Sequence, residues 1–101
     1  MYKPNPTPTF KRDVKRLAKK HYPIDSLKTV IDLLLSGSNQ EILRTQYADH
    51  LLSGNSEWRG HHELHVDSSY NNDWLLIYRI EKSELILELI RSGSHKELLG
   101  K

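Results

Sequence analysis

The sequence predicts an α+β fold: an N-terminal helical hairpin packed on one face of a three- to four-stranded antiparallel sheet. Three observations carry this expectation. Apolar residues recur at helical spacing in the first third of the chain. After residue 60 they change to alternation and to continuous apolar runs of strand length. The connections between those runs are too short for crossovers, so the strands should pair antiparallel. The 101 residues suit one domain, 1–101, able to bury a core without staples.

Each element follows from its residues. Residues 3–9 read Lys-Pro-Asn-Pro-Thr-Pro-Thr, and prolines at alternate positions remove donors, so any strand here must lie at an edge. The first helix should start at Thr9 as N-cap. Phe10, Val14, Leu17 and Ala18 then form one apolar stripe, and Lys11, Arg12, Lys15, Arg16, Lys19 and Lys20 cover the other faces. His21-Tyr22-Pro23 ends it, because a residue before proline avoids the helical region. The second helix begins around Pro23 and Ile24, repeats Leu27, Val30, Ile31 and Leu34, and stops at Ser36-Gly37-Ser38. Glu41 to Tyr47 has the length of one or two helical turns, and Ser53-Gly54-Asn55-Ser56 is a loop by composition.

The strands come next. His61 to Val66 alternates, with His61, Glu63 and His65 on one face and His62, Leu64 and Val66 on the other. Asp67 to Asp73 is a polar connection. Trp74 to Ile80 is apolar on both faces until its end, which predicts a central strand. Glu81-Lys82-Ser83 turns the chain, Leu85 to Arg91 is the third strand, and the tail from Ser94 to Lys101 has room for a helical turn. The helices cover one sheet face and leave the other free to hold a site.

Composition narrows the function. No cysteine is present, which excludes disulfides, thiolate catalysis and cysteine-ligated zinc and fits a reducing compartment. No apolar run approaches the roughly 20 residues of a membrane helix. Met1-Tyr2-Lys3-Pro4-Asn5-Pro6 lacks the apolar centre of a secretory signal. A soluble cytoplasmic protein with no membrane partner is expected. The net charge is only +2, yet six basic residues crowd onto the first helix. Such a face is either simply solvated or a grip on nucleic-acid phosphates.

The segment Arg91-Ser92-Gly93-Ser94-His95 follows an apolar run. Arginine brings a permanent cation, Gly93 permits a sharp turn, and histidine exchanges a proton near neutral pH. Cleavage of RNA by the neighbouring 2′-hydroxyl needs a base, an acid for the leaving 5′-oxygen and a cation for the charged phosphorane. Histidine suits both proton roles, and the planar fork of arginine matches phosphate oxygens. No metal or other cofactor is then required. The plainer readings are that His50 is solvated, His65 lies on the surface, Arg91 pairs with Glu88 or Glu63, and Asp73 shapes a turn. His61, His62 and His65 resemble metal ligands. However, only His61 and His65 share a strand face, roughly 13 Å apart at about 3.3 Å per residue. One zinc ion with bonds near ~2 Å cannot bridge that gap, so no metal site is expected.

The chain resembles the RelE/YafQ family of bacterial toxin–antitoxin mRNA interferases, the YafQ branch in particular. The matching motifs are Phe10-Lys11-Arg12-Asp13-Val14-Lys15, Tyr47-Ala48-Asp49-His50-Leu51-Leu52-Ser53-Gly54, Trp58-Arg59-Gly60, Leu64-His65-Val66, Asp73-Trp74-Leu75-Leu76-Ile77-Tyr78, and Leu89-Ile90-Arg91-Ser92-Gly93-Ser94-His95-Lys96-Glu97-Leu98-Leu99. They run in family order across nearly the whole chain. The resemblance implies a microbial-ribonuclease-like fold and a ribosome-dependent endoribonuclease that cuts mRNA in the ribosomal A site. It also implies inhibition by a cognate antitoxin of the DinJ/RelB type.

In that picture His50, His65, Asp73, Arg91 and His95 form the active site. His95 is the general acid, and His50 or His65 is the base or orients the 2′-hydroxyl. Arg91 stabilises the transition state, and Asp73 orients a histidine or acts as the base. Lys11, Arg12, Lys15, Arg16, Lys19 and Lys20 would grip ribosomal RNA. Leu99 stands where the family often has a base-stacking Phe. The connection from His65 to Asp73 is longer than is usual for the family, and His61 and His62 receive no catalytic role. Two other classes fit the same chain: a catalytically inactive relative that keeps the antitoxin interaction, and a non-catalytic RNA-binding protein that uses the basic helix.

Overall fold

The computed structural model describes residues 1–52 and 58–100. In chain order these form β1 (Lys3–Pro6), α1 (Pro8–Lys19), α2 (Ile24–Ser36), α3 (Gln40–Gln46), β2 (His50–Leu51), β3 (His62–His65), β4 (Leu75–Glu81), β5 (Ile86–Gly93) and α4 (His95–Leu99). The loop expected over Ser53-Gly54-Asn55-Ser56 lies outside the described residues. No described helix is long and apolar enough to cross a membrane.

Among the described residues the sheet has five strands in the order β1-β5-β4-β3-β2 and is mixed, which corrects the expected three- to four-stranded antiparallel sheet. The three expected strands do form an antiparallel meander, β3-β4-β5. The addition on one side is β1, parallel to β5. Its prolines explain how it pairs at all. Lys3 N donates to Leu85 O (2.8 Å) and Thr7 N to Leu89 O (3.0 Å). Pro4 and Pro6 fall between such positions and have no donor to miss. The other edge is β2, antiparallel to β3 and only two residues long.

The third proline starts α1 instead of extending the strand. Pro8 takes the first helical position, where a missing N–H is no loss. The N-cap is therefore Thr7, not Thr9. The Thr7 hydroxyl accepts from Phe10 N (3.0 Å) and donates to Ile90 O (2.9 Å), fastening the β1–α1 corner to β5. α2 ends at Gly37 in the left-handed conformation (φ 74°), which glycine adopts without strain.

Phe10 and Leu17 of α1, Leu27, Val30 and Leu34 of α2, and Leu43 of α3 pack on Leu64, Leu76, Tyr78, Leu87 and Leu89 of the sheet. The α1 stripe differs from the expected one. Ala18 is exposed, and Asp13, 1% exposed, takes a place on the buried face. β4 is central, as its two-sided apolar pattern predicts. Leu75 and Ile77 point to the second face, where Leu98 of α4 covers them and Leu52, Trp58, Ile90 and Leu99 pack around. That face is thus partly closed, not wholly free. Between β4 and β5 the register moves from Ile77–Arg91 to Tyr78–Leu89, which makes Ile90 a bulge residue.

One buried polar pair links the strands to Trp74. Its Nε1 donates to Ser92 Oγ (3.0 Å), and Ser92 Oγ donates to Leu75 O (2.8 Å). Ser92→Ala would strand the indole N–H without an acceptor. Stability should fall by about 1–3 kcal/mol, read as a lower urea midpoint at unchanged m-value. An unchanged midpoint would mean that the indole finds another acceptor.

Candidate active site

The sheet register aligns the site before any side chain is considered. His50 on β2 stands opposite Glu63 on β3, Glu63 opposite Ile77 on β4, and Ile77 opposite Arg91 on β5. Paired residues share a face, so this row runs along the side opposite the large helices. At about 4.8 Å per strand, His50 and Arg91 lie roughly 14 Å apart along it. His65, two residues beyond Glu63, stands opposite Leu75, which in turn stands opposite Gly93. His95 begins α4 immediately past the end of β5.

Five groups converge. Glu63 Oε1 lies 3.7 Å from His50 Nε2 and 3.7 Å from His95 Nε2. The His65 and His95 ring centroids are 6.0 Å apart. Asp73 Oδ1 accepts from the His95 main-chain N (3.1 Å) and is hydrogen-bonded by His95 Nδ1. Those bonds from His95 hold the Asp73 carboxyl below the usual carboxylate range, so it is ionised at neutral pH. His50 Nδ1 bonds to Ala48 O (2.7 Å), and His65 Nδ1 bonds to Asn72 O (2.6 Å). A carbonyl only accepts, so both Nδ1 atoms must carry their protons. All three imidazoles are thereby anchored at Nδ1, and Nε2 is the atom left for proton transfer. Glu63, 4% exposed, is absent from the expected site residues. The signal was available: the strand alternation puts it on the face of His65.

The long connection from His65 to Asp73 does not displace Asp73. Asp67 accepts from Ser26 Oγ (2.7 Å), Ser69 Oγ (2.7 Å) and Tyr70 N (3.2 Å), which winds the extra residues into a local turn. The hydroxyl bonds from Ser69 and Ser26 keep its carboxyl below the ordinary range. Tyr70 packs edge-on against Tyr22 and Trp74 at 5.3 and 6.1 Å between centroids. The turn then delivers Asp73 through Asn71, whose side-chain oxygen accepts from Asp73 N (2.9 Å).

Arg91 pairs with neither Glu88 nor Glu63. Its Nε and Nη2 donate to Asp13 Oδ2 (3.0 Å) and Oδ1 (2.9 Å). Asp13 also accepts from Arg16 Nη1 (2.8 Å) and from Ser92 N (3.1 Å). Burial alone would raise the Asp13 pKa, but the bonds from Arg91, Arg16 and Ser92 N outweigh it and lower it. Asp13 in turn raises that of Arg91. The guanidinium is thus fixed in direction, with Nη1 the nitrogen that Asp13 does not use. Arg91 cannot offer its whole fork to phosphate while this pairing holds.

Arg16 belongs to this network and not to the free basic face: Nη2 donates to Ser92 O (3.3 Å), and Nε lies 3.1 Å from Glu97 Oε2. Lys11, Arg12, Lys15, Lys19 and Lys20 are exposed, with Lys20 Nζ 3.9 Å from Glu97. Leu99 is partly buried against the second apolar cluster. Gly93 also differs from expectation, since it does not turn the chain through a positive φ. It makes room: a Cβ there would meet Glu97 Oε1 at 2.8 Å and Arg16 Nη2 at 3.0 Å. Glu97 needs that place because its carboxylate and the Ser94 hydroxyl form the capping box that starts α4 at His95.

Among the described residues no three His, Asp or Glu side chains form a metal-binding group. His62 lies on the helix-covered face, stacked on Tyr78 at 5.1 Å. His61 Nδ1 bonds to Arg59 O (3.1 Å), and its ring meets Trp58 edge-on at 5.4 Å.

Fold and site together define a class: a small α+β protein with anchored imidazoles, carboxylates and a guanidinium equipped for acid–base chemistry. The family model for the bacterial toxin of type II toxin–antitoxin systems, YafQ, matches residues 2–100, and the chain belongs to that family. It is 35% identical over 91 residues to the mRNA interferase toxin YafQ of Escherichia coli strain B / BL21-DE3, covering 90% of this chain and 88% of that relative. The crystal structure of YafQ from E. coli BL21(DE3) superposes with a TM-score of 0.82 at 30% identity, over 99% of this chain and 100% of that one. YafQ in the E. coli DinJ–YafQ complex gives 0.79 at 32% identity, over 99% and 100%.

The Asp13 network carries a pH prediction. The folded protein binds the Asp13 proton at lower pH than the unfolded chain. Its contribution is therefore complete above the ordinary Asp value near ~4 and is lost as pH falls through the lowered folded value. Asp13→Asn should reduce stability at pH 7 by about 3 kcal/mol. It should also flatten the acid limb of a stability–pH curve by at most ~1.4 kcal/mol per pH unit. An acid limb of unchanged slope would remove Asp13 from the network's energetics.

Proposed function

We propose that this toxin is a ribosome-dependent endoribonuclease that cuts mRNA in the ribosomal A site without a metal ion. The observation that carries the proposal is the meeting of His50, Glu63 and His95 at one carboxylate oxygen, with Asp73 on His95. Family membership and the activity in the relatives' name support the endoribonuclease part. The reaction is attack of the 2′-oxygen on phosphorus with departure of the 5′-oxygen, leaving a 2′,3′-cyclic phosphate.

His95, anchored at Nδ1 by Asp73, gives its Nε2 proton to the leaving oxygen. His50 or His65 accepts the 2′-hydroxyl proton at Nε2. Asp73 is ionised and committed to His95, so it orients and does not act as the base. Arg91 meets the phosphorane through Nη1, directed by Asp13. Lys11, Arg12, Lys15, Lys19 and Lys20 supply sequence-independent contacts to ribosomal RNA phosphates. Leu99 packs beside the substrate base. The single domain of residues 1–101 carries this activity in the cytoplasm, and a DinJ/RelB-like antitoxin binds it and holds it inactive, a partnership supported by the DinJ–YafQ complex of E. coli.

The test is inducible expression with mapping of mRNA 5′ ends, followed by cleavage on programmed ribosomes. In-frame cuts should appear with the wild type and fall about 10²-fold or more in His95→Ala and Arg91→Ala. Free RNA should be cut poorly. Cuts that persist undiminished in His95→Ala would end its assignment as the acid, and efficient cutting of free RNA would end ribosome dependence. Lys15→Glu combined with Lys19→Glu should weaken ribosome binding without moving the melting temperature. Unchanged binding returns the basic face to plain solvation.

A further inference from the structure

Behind His50, on the opposite face of the sheet, lies a second polar cluster that the reaction does not use. The Tyr78 hydroxyl donates to Asp49 Oδ2 (2.7 Å). His62 lies flat on Tyr78, 5.1 Å between centroids and 20° between planes, with Nδ1 3.5 Å from Asp49 Oδ1. Both of those last atoms are buried without a hydrogen-bond partner among the described residues. Burial, then the bond and charge of Asp49, push the Tyr78 pKa up, so its hydroxyl stays a neutral donor. The cluster opens on a cavity of about 270 Å³ whose apolar wall includes Leu33, Leu34, Leu43 and Ile80.

We propose that Asp49 is the positioning residue for His50, held from the helix-covered face by Tyr78 and His62. This rests on the reading of His50 as an active-site group. The geometry supports it at each step. His50 sits on the shortest strand, a two-residue edge, where strand pairing alone is weak. Asp49 precedes it directly, and alternation sends the two side chains to opposite faces. The partners alternate in step: His62 and Tyr78 are opposite each other on one face, and Glu63 and Ile77 on the other.

The turn into β2 is strained. Ala48 has φ 54°, which disfavours a residue with a Cβ by about 1–2 kcal/mol, and its carbonyl is the anchor for His50 Nδ1. Strain of that kind persists only where the surroundings over-determine the backbone. The Asp49 main-chain bond to Leu43 O (3.0 Å) and its side-chain bond to Tyr78 supply that determination. Asp49 thereby sets the direction of the Ala48 carbonyl, and the carbonyl sets the His50 ring.

Tyr78→Phe removes only the hydroxyl, and Asp49→Asn removes only the charge, so either variant tests the idea if the other folds poorly. On programmed ribosomes each should lower kcat about tenfold with KM unchanged. Neither should cause further loss in a His50→Ala background, because residues acting through one group are not additive. Independently, the Cε1–H signal of His50 in NMR spectra of Tyr78→Phe should shift, while those of His65 and His95 stay in place. An unmoved His50 signal overturns the proposal, as does an equal kcat loss with and without His50. If the wild type cuts no mRNA on ribosomes, the functional reading fails. The NMR signal still decides the positioning.

Discussion

The fold depends on how one strand edge is closed. β5 is paired by β1 only as far as Leu89, because Thr7 caps a helix and the chain leaves the sheet. Beyond that point the N–H and C=O of Ser92 face α1 instead of a strand. Asp13 accepts the N–H, and Arg16 donates to the C=O. Two side chains one helical turn apart thus replace a β-partner. A buried main-chain group without a partner is expensive, so these bonds let β5 run on to Gly93. The strand end that carries Arg91, and from which His95 follows, exists because Asp13 is there to receive it.

The same carboxylate explains why Arg91 is rigid. A buried charge must be paired and hydrogen-bonded, and Asp13 takes two nitrogens of Arg91 and one of Arg16. Structural and chemical demands therefore fall on one residue. The lowered Asp13 and raised Arg91 pKa values describe one interaction seen from its two sides. Glu97 extends it: its carboxylate lies 3.1 Å from Arg16 Nε and accepts from Ser94 N (2.9 Å), joining α1 to the helix that starts at His95. Gly93 is small because these groups pass over it.

How far the sequence could be read follows from this arrangement. Periodicity located α1, α2 and the β3-β4-β5 meander, because each buries a face and the pattern of burial is written in consecutive residues. It could not show β1 pairing parallel to β5, since that depends on a partner some 80 residues away and prolines only mark an edge. It could not show β2 either, because two residues carry no period. At the site, residue types pointed to His50, His65, Asp73, Arg91 and His95, and the structure brings His50 and His95 to Glu63 and sets His65 and Asp73 beside His95, with Arg91 farther along the row. Asp13 escaped because a charged residue at a helical position reads as exposed until its long-range partners are known. Arg16 was counted with the basic face for the same reason. Glu63 was legible by alternation with His65, but its burial was not, since that requires His50 from another strand.

The anchoring of the imidazoles has a different origin, and it is the part farthest from sequence. Each ring is fixed at Nδ1 by an oxygen outside the regular strands: Ala48 O in a strained turn, Asn72 O in the β3–β4 connection, and the Asp73 carboxylate. Strands bring the rings to one face, but loops decide which nitrogen is exposed. Two rings hang on carbonyls, which accept a proton bond without carrying charge. One hangs on an ionised carboxylate, which complements the imidazolium as well as the neutral ring. In the proposed reaction the acid begins protonated, and a ring set against a fixed negative partner suits that role, whereas a ring that begins neutral is better held by a carbonyl. That asymmetry suits His95 to the proposed role of acid and His50 or His65 to that of base. Between those two, His50 is the one whose Nε2 shares Glu63 Oε1 with His95 at 3.7 Å on either side. In the proposed reaction, a proton taken up at His50 and one given up at His95 would change the field at that one carboxylate in opposite senses.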